Sequence, residues 1–196
     1  MRRRQIFALS LMPALLSACK QGGPPAFRAT DLTGASFGRD FALDDIAGHR
    51  RALADFRGKV VILFFGYASC PDVCPTTLSR LAEVMKLLGP KAGQVQVVFV
   101  TVDPERDTAD RLRDFVPWFH PDFLPLRGTP EETRKLLAEF RATAIKRPVE
   151  GSMGYVIDHS AACYVFDPTG RLRLYVRDEQ SAADIAADVK LLLGTT

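Results

Sequence analysis

Two long apolar runs dominate the chain: residues 60–65, VVILFF, and residues 95–102, VQVVFVTV. Runs of this length mark strands covered on both faces. Between them Leu78, Leu81, Met85 and Leu88 recur at helical spacing, and Gly89-Pro90 stops that helix. Leu112, Phe115, Val116 and Phe119 outline a second amphipathic helix, ended near residues 117–121. Residues 123–126 suit a short strand. Thr129-Pro130-Glu131-Glu132 is a capping box with proline at the first helical position, and Leu136, Leu137 and Phe140 form the buried face of the helix it opens. Residues 162–166 read as a strand, Pro168-Thr169-Gly170 turns it, and Leu172, Leu174 and Val176 alternate on the return. Ser181 caps a last helix whose face is Ile185, Val189 and Leu192.

Three stretches are patterned less clearly. Residues 27–41 alternate weakly and carry Gly34 and Gly38, which predicts a short peripheral hairpin. Residues 44–59 are polar and loop-like, with Leu53 and Phe56 as anchors. Residues 142–158 lack periodicity and hold Pro148, Gly151 and Gly154; a long loop there suits a lid or a docking surface. The order predicts an α/β fold: a mixed central sheet flanked by helices, with parallel βαβ units, an N-terminal hairpin, and an inserted loop before a C-terminal antiparallel hairpin. Sites in such sheets form at the carboxyl ends of strands.

Length and apolar content suit one globular domain. The formal charge of +3 misleads: Arg2, Arg3 and Arg4 supply three of the 26 basic residues, leaving 23 against 23 acidic ones. Nothing in that balance points to nucleic acid. Arg2–Arg4 and the apolar stretch Ile6–Leu16 read as an export signal, too short for a normal transmembrane helix. Leu16-Ser17-Ala18-Cys19 resembles the lipobox of bacterial lipoproteins, which implies cleavage before Cys19 and lipidation of its thiol. A plain secretory signal and an uncleaved anchor are the alternatives, and all three place the domain outside the cytoplasm. Residues 1–18 are thus the signal, 19–26 a flexible tether with two glycines and two prolines, and 27–196 the domain.

The chemistry sits after the first apolar run. Gly66 ends it, and Cys70 and Cys74 follow, each with a proline behind it, Pro71 and Pro75. Proline pushes the preceding residue out of the helical region and suits the first helical position, which predicts Cys74 as N-cap. Thiolates at a helix N-terminus have lowered pKa values and bind soft metals. Buried structural cysteines are the competing reading, although a cysteine pair in a Gly/Pro-punctuated loop is poor core design. In an oxidising compartment the pair can form a disulfide, leaving Cys163 over. Cys163 reads as a small core cysteine, although strand alternation from residue 159 points it towards the site.

Of the three histidines, His49 and His120 lie in polar or proline-flanked loops without a matching partner. His159 stands just before the strand 162–166. Two thiolates and an imidazole suit Cu(I), Cu(II) with a further ligand, or zinc with an open position. By spacing alone a backbone-bonded loop histidine remains open. Asp103 and Asp158 are acidic neighbours of the site, with orienting or structural roles both available.

The chain resembles the SCO/SenC family of thioredoxin-like copper-delivery proteins. The resemblance rests on Phe64-Phe65-Gly66-Tyr67, Cys70-Pro71-Asp72-Val73-Cys74-Pro75, Val102-Asp103-Pro104-Glu105-Arg106-Asp107-Thr108, and Asp158-His159-Ser160 followed by Tyr164 and Asp167-Pro168-Thr169-Gly170. It implies a thioredoxin-like fold with Cys70, Cys74 and His159 as copper ligands. It also implies a metallochaperone that delivers copper to the copper-A site of cytochrome c oxidase subunit II, served by other periplasmic copper carriers or thiol reductants. A lipid anchor at Cys19 would hold it to the membrane, where many family members have a transmembrane helix. The alternative is a thiol–disulfide oxidoreductase that uses Cys70 and Cys74 to reduce the oxidase's copper-site cysteines. A thiol-based redox or copper sensor is a third possibility.

Overall fold

A computed structural model of the protein describes residues 26–151 and 154–194. The signal segment 1–18 and Cys19 lie outside the described residues. In chain order the elements are β1 (Thr30–Asp31), β2 (Ala42–Asp45), β3 (Arg50–Ala52), β4 (Val60–Gly66), α1 (Val73–Leu88), β5 (Val95–Thr101), α2 (Ala109–Phe115) and β6 (Leu124–Arg127). There follow α3 (Pro130–Glu139), β7 (Ala144–Pro148), β8 (Tyr155–His159), β9 (Cys163–Phe166), β10 (Leu172–Val176) and α4 (Ala182–Leu193).

Eight strands form one mixed sheet in the order β1-β10-β9-β4-β5-β6-β2-β3. β4, β5 and β6 run parallel, as the two helical crossovers require, and the remaining pairs are antiparallel. This is the thioredoxin-like, helix-flanked mixed sheet expected. β4 is central and every residue in it is buried. Each large aliphatic or aromatic side chain placed there contributes about 1.5–3 kcal/mol of transfer free energy. Alternation splits its two phenylalanines: Phe65 packs edge-on against Phe140 and Tyr164, while Phe64 faces Phe99 and His159.

Helix ends follow the sequence where side chains cap them. Thr129 and Glu132 close a reciprocal capping box at α3, with Pro130 inside the first turn. Thr108 caps α2 and Ser181 caps α4. Asp188, fully buried in α4, accepts the backbone N–H groups of Arg28 and Ala29 and fastens the start of the domain.

Three expectations change. The N-terminal hairpin is β2–β3, which starts just after residues 27–41 and runs into the stretch that reads as polar loop. The polar residues there build its turn: buried Asp45 accepts from Ala47 N, His49 N and Arg51 Nε. Residues 27–41 contribute only β1, a two-residue strand on β10 too short to show a period. The long loop 142–158 contains a two-stranded ribbon, β7 against β8, outside the main sheet. β7 is almost wholly exposed, so no apolar face imposes alternation on its sequence.

Candidate metal site

The parallel pairing of β4 with β5 brings Gly66 beside Thr101, and the backbone of Val102 bonds to Gly66. The thiol loop and the Asp103–Thr108 segment therefore leave the sheet side by side at its carboxyl edge. Gly66 is required by close approach: a Cβ there would lie 2.7 Å from the Phe99 ring and 2.9 Å from Cys74 Sγ. The thiol loop is tied to its neighbour by Asp107, whose Oδ2 accepts from Ala68 N at 3.0 Å and Thr101 Oγ1 at 2.6 Å.

Cys74 is not the N-cap. Asp72 is, and Cys74 lies in the first turn of α1 with Pro75 just behind it. Pro75 is tolerated because the N–H groups of the first turn have no intrahelical partner. The Asp72 side chain makes no capping bond. Cys70 Sγ takes that part, accepting from Cys74 N at 3.5 Å. The sulfur thus receives the positive end of α1, as the helix-mouth argument expects.

His159 reaches the same point from β8. Its Nε2 lies 3.3 Å from Cys74 Sγ, and its Nδ1 lies 3.1 Å from the carbonyl of Ser160. When Nδ1 donates to the Ser160 carbonyl, Nε2 keeps its lone pair for a metal; when Nε2 carries the proton, it donates to the thiols instead. The ring stands edge-on between Phe64 and Tyr67. The donor atoms of Cys70, Cys74 and His159 all lie within 4.8 Å of one another. Donors bound at about 2.0–2.3 Å to one ion are separated by at most about 4.6 Å, so the group nearly matches a shared cation without one being present.

The two thiols differ. Cys70 is partly buried, and a hydrogen bond from the Cys74 thiol holds its pKa far below that of a free cysteine; His159 and the backbone N–H groups of Asp72 and Cys74 add to this, against the cost of burial. Cys74 is buried and pushed the other way, by its bond to Cys70 and by desolvation. Of the two, Cys70 is the thiol that ionises more readily.

Other expected neighbours fall elsewhere. Asp103 binds Arg106 and the hydroxyl of Tyr155, and Asp158 pairs with Arg147, so neither orients His159; the Ser160 carbonyl does. Cys163 opens β9 opposite Phe64, buried, with desolvation pushing its thiol up to about 12. It is a core cysteine outside the three-donor group. The strand-alternation argument fails because β8 ends at His159 and β9 starts anew at Cys163. His49 sits beside Asp45 and His120 stacks on Phe123, both apart from the site. Sequence reasoning missed Tyr67, Arg106 and Asp107 as parts of the site, although all three stand in the motif blocks that carry the resemblance.

The fold and this group define a class: a thioredoxin-like domain with two cysteines and a histidine gathered at the carboxyl edge of its sheet. The chain belongs to the SCO1/SenC family, whose model matches residues 29–194. It is 38% identical over 178 residues to the mitochondrial SCO2 homolog of Bos taurus, covering 89% of this chain and 67% of that protein's length. Bradyrhizobium japonicum ScoI, solved with copper bound, superposes with a TM-score of 0.73 at 35% identity, over 80% of this chain and 99% of that one. Apo Sco1 of Thermus thermophilus gives a TM-score of 0.73 at 39% identity, over 85% and 95%. Among the described residues no helix is long and apolar enough to cross a membrane.

Proposed function

We propose that the protein binds one copper ion through Cys70, Cys74 and His159 and delivers it to the copper-A site of cytochrome c oxidase subunit II. The carrying observation is the convergence of two sulfurs and an imidazole nitrogen within 4.8 Å, from segments 85 residues apart. Sulfur and imidazole donors in a three-coordinate set suit copper, Cu(I) above all. Sco proteins are a family of cytochrome c oxidase assembly proteins, and ScoI of Bradyrhizobium japonicum has copper bound. Copper here is cargo. Loading requires both thiols to be reduced and Cys74 to lose its proton. Cys70 and His159 are part-exposed and Cys74 is buried, so an acceptor's donors reach the first two before the third. Exchange starts at the rim of the site and Cys74 releases last.

In this reading the domain works on the periplasmic side of a bacterial membrane, held by a lipid at Cys19. The support is the charged and apolar leader followed by Leu16-Ser17-Ala18-Cys19. A mature mass without lipid would remove that part and leave the metal chemistry standing.

A second reading has its own observation. A partly exposed Cys70 thiolate beside a buried Cys74 thiol is the asymmetry of a nucleophile and its resolving partner. It supports reduction of the oxidase's copper-site disulfide by Cys70 and Cys74 without His159. Copper titration of the reduced protein and of its His159→Ala variant separates the two. One tightly held copper per chain, lost or spectrally altered without His159, supports delivery. Weak binding indifferent to His159, with ready Cys70–Cys74 disulfide exchange, transfers the assignment to the oxidoreductase.

A further inference from the structure

We propose that Tyr67 is a positioning residue that holds the ribbon carrying His159 against the thiol loop and so sets the geometry of all three donors. Tyr67 follows β4 directly and is only 2% exposed. A buried phenol needs a partner for its hydroxyl. It finds one outside the main sheet: Tyr67 Oη accepts from the backbone N–H of Ile157 in β8 at 3.1 Å. Among the described residues β8 pairs with β7 alone, and the Ile157 N–H is given to the phenol, which occupies the place of a strand partner. His159 is two residues further along the same strand.

The remaining contacts of Tyr67 converge on the donors. Its ring meets the His159 imidazole edge-on, with centroids 5.8 Å apart and planes at 86°. Its own carbonyl accepts from the backbone N–H of Cys70 at 3.2 Å, and the sulfur of Cys70 in turn accepts from Cys74 N. One residue therefore holds the thiol loop through its carbonyl and the strand of His159 through its hydroxyl and ring. Arg106 strengthens the fastening. Its guanidinium lies over the rings of Tyr67, at 5.7 Å, and Tyr155, at 3.6 Å, and donates to the carbonyl of Tyr155 at the start of β8. Tyr155 in turn donates to Asp103. These bonds act beside the buried side chain of Ile157 and the Lys146–Glu105 ion pair, while β7 itself is exposed along most of its length.

The inference deepens the proposed copper reading, and its test is arranged to stand apart from it. Full-length protein and Tyr67→Phe are compared first without metal, by amide exchange at Ile157 and by the ring resonances of His159. The phenylalanine keeps the ring and removes only the hydroxyl. Expected are an intact fold, Ile157 exchange about tenfold faster, and displaced His159 signals. Faster exchange with His159 signals unmoved assigns the hydroxyl to packing alone and overturns the proposal, as does no change in either. 3-Fluorotyrosine at position 67 keeps volume and hydroxyl while weakening acceptance, so it reports the same coupling if the phenylalanine variant folds poorly; unmoved Ile157 and His159 signals there also overturn it. With copper added, Tyr67→Phe is expected to lower affinity 10- to 100-fold and shift the thiolate-to-copper absorption. Wild-type protein that takes up no copper defeats the delivery reading and leaves the metal-free comparison decisive for Tyr67.

Discussion

Cys74 Sγ and His159 Nε2 lie 3.3 Å apart although 85 residues separate them in the chain. Cys74 is held by the first turn of a helix, and His159 by the last residue of a strand outside the main sheet. The contact joins two elements that share no hydrogen-bonded ladder. His159→Ala is therefore expected to remove a donor without disturbing the core. Copper affinity should fall more than the 10- to 100-fold typical of losing an outer hydrogen-bond partner. The melting temperature should move by no more than about 2–4 °C, the response to roughly 1 kcal/mol in a domain of this size. Chelator competition and a thermal melt on one sample check both. A large loss of stability with affinity retained would make His159 a structural residue.

Gly66 carries no donor atom, yet its replacement should damage the site. An added Cβ meets Phe99 at 2.7 Å and Cys74 Sγ at 2.9 Å, and both are buried. Overpacking of this kind costs about 1–3 kcal/mol. Gly66→Ala should melt earlier and bind copper more weakly, because α1 must shift and carry Cys74 with it. Unchanged copper affinity would show that the Phe99 ring gives way instead.

The unequal thiols set a pH dependence in the metal-free protein. The folded pKa of Cys70 is depressed relative to an unfolded thiol near about 8.5. Its contribution to stability is complete above that value and is lost as pH falls towards the folded pKa. Cys74 has the opposite sign: its folded pKa is raised, so its contribution is complete below about 8.5 and is lost as pH rises beyond it. Cys70→Ser should therefore flatten the rise of stability with pH between about 5 and 8. In the same window, alkylation of the wild type should modify Cys70 first, with a rate nearly independent of pH. A tenfold fall in rate per pH unit, as for a free thiol, would refute the low pKa.

Asp188 makes a prediction remote from the chemistry. Its buried carboxylate is the acceptor for the N–H groups of Arg28 and Ala29, just before β1. Asp188→Ala leaves those donors without it, at about 1–3 kcal/mol for each one that stays buried. Proteolysis should begin near residue 28 well below the global melting temperature. Cleavage unchanged from wild type would mean that β1 and its pairing with β10 suffice to hold this end.

The central strands and helices could be read from the chain because burial on both faces leaves an unbroken apolar run, and burial on one face leaves a helical period. β4, β5, α1, α3, β10 and α4 follow from that, as do the caps at Thr129 and Ser181, where a side chain bonds its own helix. Cys70 and Cys74 stand out because their spacing and prolines are local. The ribbon β7–β8 and the hairpin β2–β3 left no such trace: one is exposed along β7, and the other builds its turn from polar residues around Asp45. Cys74's place inside the first turn, rather than at the cap, depended on the sulfur of Cys70 accepting the bond. Only the tertiary structure brought His159 to the sulfurs and gave Tyr67, Arg106 and Asp107 their parts. Each of these acts through groups distant in sequence, and a single sequence records composition and period, not which distant backbone N–H a buried phenol will meet.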